Sequence, residues 1–263
     1  MNLLKIEWRK LLPYRAFWLA LSAYGLLMPA LFISLHNFQL KLGNNGTELS
    51  ISFYNFPDVW HNVAYISSWF NILLYFFVIL MVGNEYQYKT FRQNIIDGMS
   101  RSQAVFAKIL LMFLFALGST LLVSALGFLC GYYLGDIEAY PVSFDKASYM
   151  GLYFLQVLGY MSLAFFMTHA LRKQGMSIVA FLLYAFVAEP VLQYKVFKDW
   201  IPLPQVAEHL PIQALGQLIP NPLPAYFGFG ETAAFNSEAV VTTGVYIIVF
   251  LTLSYGMVRS RDL

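Results

Sequence analysis

The chain has 263 residues, of which 59% are hydrophobic and only 11% are charged, and its net charge is +2. Its mean hydropathy of +0.60 is too high for a water-soluble domain of this size. A lone cysteine, Cys130, excludes a disulfide framework within the chain and argues against a cysteine-built metal site. The composition therefore predicts a protein that is embedded in a lipid bilayer.

The amino-terminal segment, residues 1–15, predicts an interfacial amphipathic helix. Its apolar residues share one helical stripe and its basic residues lie off that stripe: Leu4, Trp8, Leu11 and Leu12 against Lys5, Arg9 and Lys10. Trp8 suits a membrane interface, and the basic side chains gain from anionic lipids. Two roles remain open for this helix, an anchor for the chain that follows or a direct grip on a partner protein.

Six apolar segments are long enough to cross about 30 Å of hydrocarbon, which requires roughly 20 helical residues. They are Ala16 to His36, Tyr65 to Gly83, Ala104 to Leu134, Ser148 to Ala170, Met176 to Tyr194 and Ala239 to Val258. The first contains Tyr24 and Pro29 and has no small-residue cleavage site, so we expect it to remain in the protein. The predicted fold class is all-α, a polytopic membrane protein with six transmembrane helices.

The most polar run in the first half of the chain lies between the second and third spans, NEYQYKTFRQNIIDGMSRSQAVFAK. Apolar residues at helical spacing predict one helix from Asn84 to Asp97, in which Glu85 and Lys89 form an i,i+4 pair. The expected helix stop is Gly98. The residues alone leave two possibilities, a connector resting on lipid headgroups or a docking element.

The start of the third span follows this stop immediately. Ser100 and Gln103 have the spacing of a capping box, in which each residue satisfies a free backbone amide of the other. We therefore expect a new helix from this point, which carries Lys108 into the membrane.

The basic residues are distributed unequally between the two sides of the predicted bundle. Twelve of the 16 lysines and arginines lie on the side of the amino terminus, and only Lys41, Lys146, Lys195 and Lys198 lie opposite. Because loops on the cytoplasmic side carry the excess of basic residues, we expect both termini to be cytoplasmic.

The segment between the fifth and sixth spans, residues 195–238, is apolar but is interrupted by six prolines. It cannot be a single spanning helix, because proline removes a backbone donor and clashes with the preceding turn. We expect short extracellular helices such as Pro204 to Leu210 and Pro211 to Ile219. Whether residues 201–230 re-enter the bundle or form a surface loop stays open.

Two polar residues within the spans are candidates for a substrate path, Glu189 in the fifth span and Asn71 in the second. A carboxylate at that depth is costly unless it is neutral, paired or hydrated, and Pro190 opens the helix beside it. The competing interpretation is structural, with hydrogen bonds that join neighbouring helices. The histidines on the outer side share no ligand spacing, so no metal site is predicted.

An enzymatic function finds no support in the motifs of the chain. There is no G-x-x-x-x-G-K loop for phosphate binding, no H-E-x-x-H and no G-x-S-x-G. We therefore predict no catalytic residues and no ATP hydrolysis by this chain.

Three segments resemble the membrane-spanning subunits of ABC-2 type transporters: Leu3 to Trp18, Glu85 to Lys108 and Glu208 to Pro220. In that family the second segment has an acidic residue, T-x-R, S-R and A-K, which correspond here to Glu85, Thr90 to Arg92, Ser100 to Arg101 and Ala107 to Lys108. The resemblance implies one ABC-2 type transmembrane domain over residues 1–263. It also implies that residues 84–103 are a coupling region that docks into a groove on an ATPase subunit.

The resemblance further implies a permease subunit of an ATP-driven exporter in the bacterial cytoplasmic membrane. Its partners would be two cytosolic ATPase subunits, a second permease subunit and membrane lipids, but no nucleic acid. No cofactor is expected on this chain, since ATP and Mg would bind the ATPase subunits. The expected ATPase-coupling side chains are Glu85, Tyr88, Phe91, Arg92, Ile95 and Arg101. The alternative is a membrane subunit that does mechanical or scaffolding work without transport.

Overall fold

The structure is a computed structural model that describes residues 3–36, 40–42, 47–49, 53–200, 203–226 and 236–260. The described helices are α1 (Leu3–Leu11), α2 (Arg15–His36), α3 (Val59–Gln87), α4 (Thr90–Ile96), α5 (Arg101–Leu134), α6 (Ser148–Leu171), α7 (Gln174–Leu183), α8 (Glu189–Val191), α9 (Pro204–Glu208), α10 (Pro211–Gln217), α11 (Leu223–Tyr226) and α12 (Ser237–Ser260). A short antiparallel pair, β1 (Leu40–Leu42) and β2 (Thr47–Leu49), follows α2. The predicted all-α fold class is confirmed.

Six helical stretches are long and apolar enough to cross a membrane: Arg15–Leu35, Val59–Gln87, Arg101–Leu134, Ser148–Leu171, Gln174–Phe197 and Ser237–Ser260. They match the six predicted spans, and the second is longer at both ends than predicted. In the most apolar 18 residues of α3 and of α6, 56% of the residues are buried, against 17% to 28% in the other four stretches. The bundle is therefore built around α3 and α6, and the other spans present wide apolar faces to the outside.

The loop between α3 and α5 differs from the single helix predicted for Asn84 to Asp97. α3 ends at Gln87, Lys89 adopts a left-handed conformation with φ +56°, and α4 is a separate helix. This break turns the chain so that Phe91 faces the bundle, where it is only 2% exposed. A straight continuation of α3 would have carried that side chain away from the core.

The predicted end of this loop and the start of the third span are both confirmed. Gly98 has φ +95°, a conformation that glycine adopts without strain. The Ser100 hydroxyl accepts from the Gln103 amide at 3.2 Å, and the Gln103 side chain accepts from the Ser100 amide at 3.0 Å. This reciprocal capping box fixes the first residue of α5 and so the length of the loop.

The fifth span changes its helical type around Pro190. The residues on either side, Tyr184–Ala188 and Leu192–Trp200, are π-helical. Proline lacks a backbone donor and clashes with the carbonyl one turn earlier, and a wider turn relieves that clash. The wide turns place Glu189 on the inner side of the span, where it is 2% exposed.

The proline-rich segment before α12 folds back against the bundle. α10 packs against α6 and α12, and Leu215 and Leu218 are fully buried. Gln156 Nε2 donates to the Leu215 carbonyl at 3.0 Å, about 12 Å along α6 from its first residue. A Cβ at Gly159 would lie 2.2 Å from Leu215 Cδ2, so any larger residue there forces the buried Leu215 side chain to move. The described helix α10 is therefore packed against the bundle and does not lie in a free surface loop.

Candidate coupling site

Four charged side chains, three of them buried and Lys10 partly exposed, form one group at the end of the bundle that holds α1 and α4. Lys108 Nζ lies 2.7 Å from Glu85 Oε2 and 3.3 Å from Glu7 Oε1. Lys10 Nζ lies 2.7 Å from Glu85 Oε1 and 2.9 Å from Glu7 Oε1. We call Glu7, Lys10, Glu85 and Lys108 the buried charge cluster. It carries no net charge and ties α1, α3 and α5 together.

The predicted pair between Glu85 and Lys89 is wrong, because α3 ends before Lys89 and Glu85 faces inward. The Lys108 side chain is fully buried, so two carboxylates replace the water that its ammonium group would otherwise require. Lys10 remains 29% exposed and borders a cavity of about 270 Å³, which also touches Tyr88 and Thr90.

The interfacial helix α1 has its faces arranged differently from the predicted stripe. Glu7 and Leu11 are buried, whereas Trp8 and Leu12 are each 44% exposed. Lys10 therefore points toward the bundle, because its partner Glu85 lies there, and does not lie with Lys5 and Arg9 on the exposed side. Glu7 and Lys10, one turn apart on α1, therefore join this helix to the bundle, whereas Lys5 and Arg9 face outward.

Phe91 joins α4 to this cluster. The Lys108 ammonium lies 5.8 Å from the centre of the Phe91 ring, and the Tyr86 and Phe91 rings stack with centroids 6.0 Å apart. Tyr86 in turn bonds His169 Nδ1 at 2.7 Å, which connects the group to the end of α6. Arg172 lies 5.7 Å over the Tyr86 ring. The inner face of α4 thus rests on groups that belong to three spans.

The coupling residues predicted from the sequence divide into an inner and an outer set. Tyr88 is 67% exposed, Arg92 is also exposed, and Ile95 is half-buried. Glu85 and Phe91 are instead buried within the chain, because the turn at Lys89 points them inward. Neither side chain is exposed for contact with a partner, contrary to expectation. A role for Glu85 and Phe91 in coupling stays a prediction, and it would have to operate through their packing within the chain.

Ile96 and Arg101 differ in their exposure at the outer surface of the loop. Ile96, which the sequence reasoning did not select, is 68% exposed on α4. Arg101 is half-buried and donates to the Arg259 carbonyl at 2.8 Å, where it caps the last turn of α12. The outer surface of the loop therefore centres on Tyr88, Arg92 and Ile96.

Asn71 belongs to a second buried polar group, in the middle of the bundle. Its Oδ1 accepts from the Tyr153 hydroxyl at 2.5 Å, and the Tyr24 hydroxyl bonds Tyr153 at 2.7 Å and Ser119 at 2.9 Å. These four side chains come from α2, α3, α5 and α6. They make the interhelical hydrogen bonds of the structural alternative, and a pathway role for Asn71 stays a prediction.

Glu189 joins the fifth span to α10. Its Oε1 accepts from the Gln213 amide at 2.7 Å, in the first turn of α10, where backbone donors have no helical partner. The carboxylate is thereby positioned against α10, which supports the structural interpretation. Its part in a substrate path stays a prediction. In the described ranges no three His, Cys, Asp or Glu residues gather in a way that could hold a metal ion.

Comparison with known families identifies the family to which the chain belongs. A model of the family described as ABC-2 family transporter protein matches residues 3–188, well over half of the chain. The chain belongs to the ABC-2 transporter family. It is a permease subunit of an ABC transporter, a multi-pass membrane protein, and such permeases are generally not catalytic themselves. No match was found among curated proteins.

The match to the ABC-2 family includes α1, the whole loop between α3 and α5, and the buried charge cluster. Sequence reasoning missed Glu7 and gave Lys108 no partner. The sequence did contain a signal for Lys108, because a lysine within an otherwise apolar span requires an opposite charge.

Proposed function

We propose that this ABC-2 permease subunit works in an ATP-driven exporter of the bacterial cytoplasmic membrane, powered by two cytosolic ATPase subunits. It would form the substrate path with a second permease subunit, of the same or a homologous chain. ATP and Mg bind the ATPase subunits, and this chain needs no cofactor. Both termini are cytoplasmic in this proposal, which the concentration of basic residues at one end supports.

The ATPase subunits dock on the outer surface of the loop, at Tyr88, Arg92 and Ile96. Exposed apolar and aromatic side chains beside an arginine are typical of protein interfaces. The adjoining cavity beside Tyr88 and Thr90 gives this surface a concave part. A helix of seven residues offers a small contact, so a few side chains must supply most of its affinity.

The observation that carries the proposal is the position of Phe91 between the docking surface and the buried charge cluster. A shift of α4 moves Phe91 against Lys108 and Tyr86, and these residues belong to α5 and α3. Separating a buried ion pair costs about 3–5 kcal/mol, so the cluster moves as a unit. Closure of the ATPase subunits would therefore tilt α1, α3 and α5 together and change access to the path between the two permease subunits.

The test separates docking from transmission. Replacement of the outer pair, Arg92→Glu with Ile96→Glu, should weaken retention of the ATPase by at least about thirty-fold, or about 2 kcal/mol. Replacement of the inner residue, Phe91→Leu, should leave the ATPase bound but reduce its hydrolysis rate in proteoliposomes. Lys173→Glu, an exposed charge change at the same end of the bundle, is the control and should do neither. The proposal fails if the outer double variant retains its ATPase as the control does.

A further inference from the structure

An apolar groove runs along the outside of the bundle between α2 and α5. It has a volume of about 470 Å³, and its lining includes Trp8, Leu21, Leu74, Leu114, Phe115 and Gly118. Its accessible surface is almost wholly apolar, and it opens sideways where Leu114 is 43% exposed. The coupling role proposed above leaves this groove unused.

The dimensions of the groove fit one leaflet of a bilayer. On α5 it extends from Leu111 to Leu122, which is about 16 Å at 1.5 Å per residue. Half of a hydrocarbon core of about 30 Å is about 15 Å. At one end the groove begins at Trp8 of the interfacial helix, so a chain within it would start at the membrane surface and end near the midplane.

Positive charge gathers at the same end. Lys5 and Arg9 lie on the exposed side of α1 together with Trp8, and Arg15 begins α2, which supplies Leu21 to the groove. Within the described part of the chain none of these three cations takes part in a salt bridge, unlike Lys10, which is held by the buried charge cluster. An anionic headgroup at this place would gain about 1 kcal/mol for each nearby basic residue.

We propose that the groove binds one acyl chain of an anionic phospholipid of the surrounding leaflet, whose headgroup contacts Lys5, Arg9 and Arg15. The bound lipid fills the space between α2 and α5 and holds α1 against the membrane surface. An acyl chain packs against the apolar lining more favourably than water does. A phosphate supplies a counter-charge that the described part of the protein does not provide at these cations.

Gly118 offers a direct way to fill the groove without disturbing the bundle, because a Cβ there meets no atom within 4 Å. The purified full chain is placed in nanodiscs of phosphatidylcholine that contain a photoreactive phosphatidylglycerol, with the reactive group on the acyl chain. We expect cross-links on α5 between Leu111 and Leu122, and about tenfold fewer in Gly118→Leu, since each displaced methylene weakens binding severalfold. Gly244→Leu, on the equally open surface of α12, should label as the unaltered chain does.

The headgroup is tested separately with the triple variant Lys5→Gln, Arg9→Gln and Arg15→Gln. It should lose the preference for phosphatidylglycerol over a photoreactive phosphatidylcholine and keep the cross-links on α5. If Gly118→Leu does not give a monodisperse protein, Leu122→Trp fills the same groove. Labelling that is unchanged by the filling variants would overturn the proposal, because it marks ordinary surrounding lipid. Efficient disulfide formation between two copies of Leu114→Cys would overturn it as well, because a second subunit would then cover the groove.

Discussion

Removal of the Lys108 ammonium group is expected to destabilise the permease far more than removal of an exposed lysine. Lys108 is fully buried and lies 2.7 Å from Glu85 and 3.3 Å from Glu7. Lys108→Met keeps most of the volume but leaves two carboxylates to share Lys10. Breaking a buried pair in this way costs about 3–5 kcal/mol. At about 2–4 °C per kcal/mol for a chain near this size, the melting temperature should fall by about 6–20 °C.

Thermal unfolding of the purified subunit in detergent measures this effect. Lys173→Met is the matched control, and as an exposed substitution it should stay within about 0.5 kcal/mol of the unaltered chain. The double variant Lys108→Met with Glu85→Gln restores neutrality, because Glu7 and Lys10 remain. It should therefore be less destabilised than the sum of its single variants, by about 1 kcal/mol or more. Two results would contradict the stabilising role of the ion pairs. One is a melting temperature of Lys108→Met equal to that of Lys173→Met, and the other is additivity of the Lys108→Met and Glu85→Gln destabilisations in the double variant.

Three further results are expected. Gly159→Ala brings a Cβ to 2.2 Å from Leu215 Cδ2, and we expect it to lower the free energy of unfolding by about 1–3 kcal/mol. Gly151→Ala, where a Cβ meets no neighbour, should leave that free energy unchanged. Equal melting temperatures of the two variants would contradict the docking of α10. Glu189→Ala should lower the free energy of unfolding by about 1–3 kcal/mol because the Gln213 amide loses its acceptor, whereas Glu189→Gln should keep that stability. Equal melting temperatures of the two variants would exclude a stabilising role for this hydrogen bond. A changed pH dependence of export in Glu189→Gln would assign Glu189 to the substrate path. A cysteine at Asn236 should react with an impermeant reagent added outside the cell and one at Gln93 should not; the reverse pattern would invert the proposed topology.

Hydropathy predicted the six spans because a helix that crosses a bilayer requires a long apolar run whatever it packs against. Local chemistry likewise predicted the stop at Gly98 and the capping box of Ser100 and Gln103, since both depend only on residues within one turn. The sequence also identified the loop between α3 and α5 as one of three segments that carry the family resemblance.

The inward faces of the helices could not be predicted in the same way. In a span that is apolar all round, no periodicity marks the side that faces the bundle, so the burial of α3 and α6 had no signal. The partners of Glu85 lie on α1 and α5, far away in sequence, and the nearer Lys89 was chosen instead. Phe91 was expected on the surface because lysine rarely adopts a left-handed conformation, so nothing in the sequence indicated the break at Lys89.

The exposed face of α4 allows a direct test of whether the loop contacts an ATPase subunit. A photoreactive residue in place of Ile96, which is 68% exposed on α4, reports its neighbour in intact cells. Tyr140, which is 49% exposed on the connection between α5 and α6, is the matched position at the opposite end of the bundle.

Irradiation followed by identification of the cross-linked partner is the most direct measurement. Position 96 should capture a subunit with a G-x-x-x-x-G-K nucleotide-binding loop, with a lower yield in the Arg92→Glu background, and position 140 should capture no such subunit. Capture of lipid alone at position 96, or of the ATPase at position 140, would contradict the proposed coupling role.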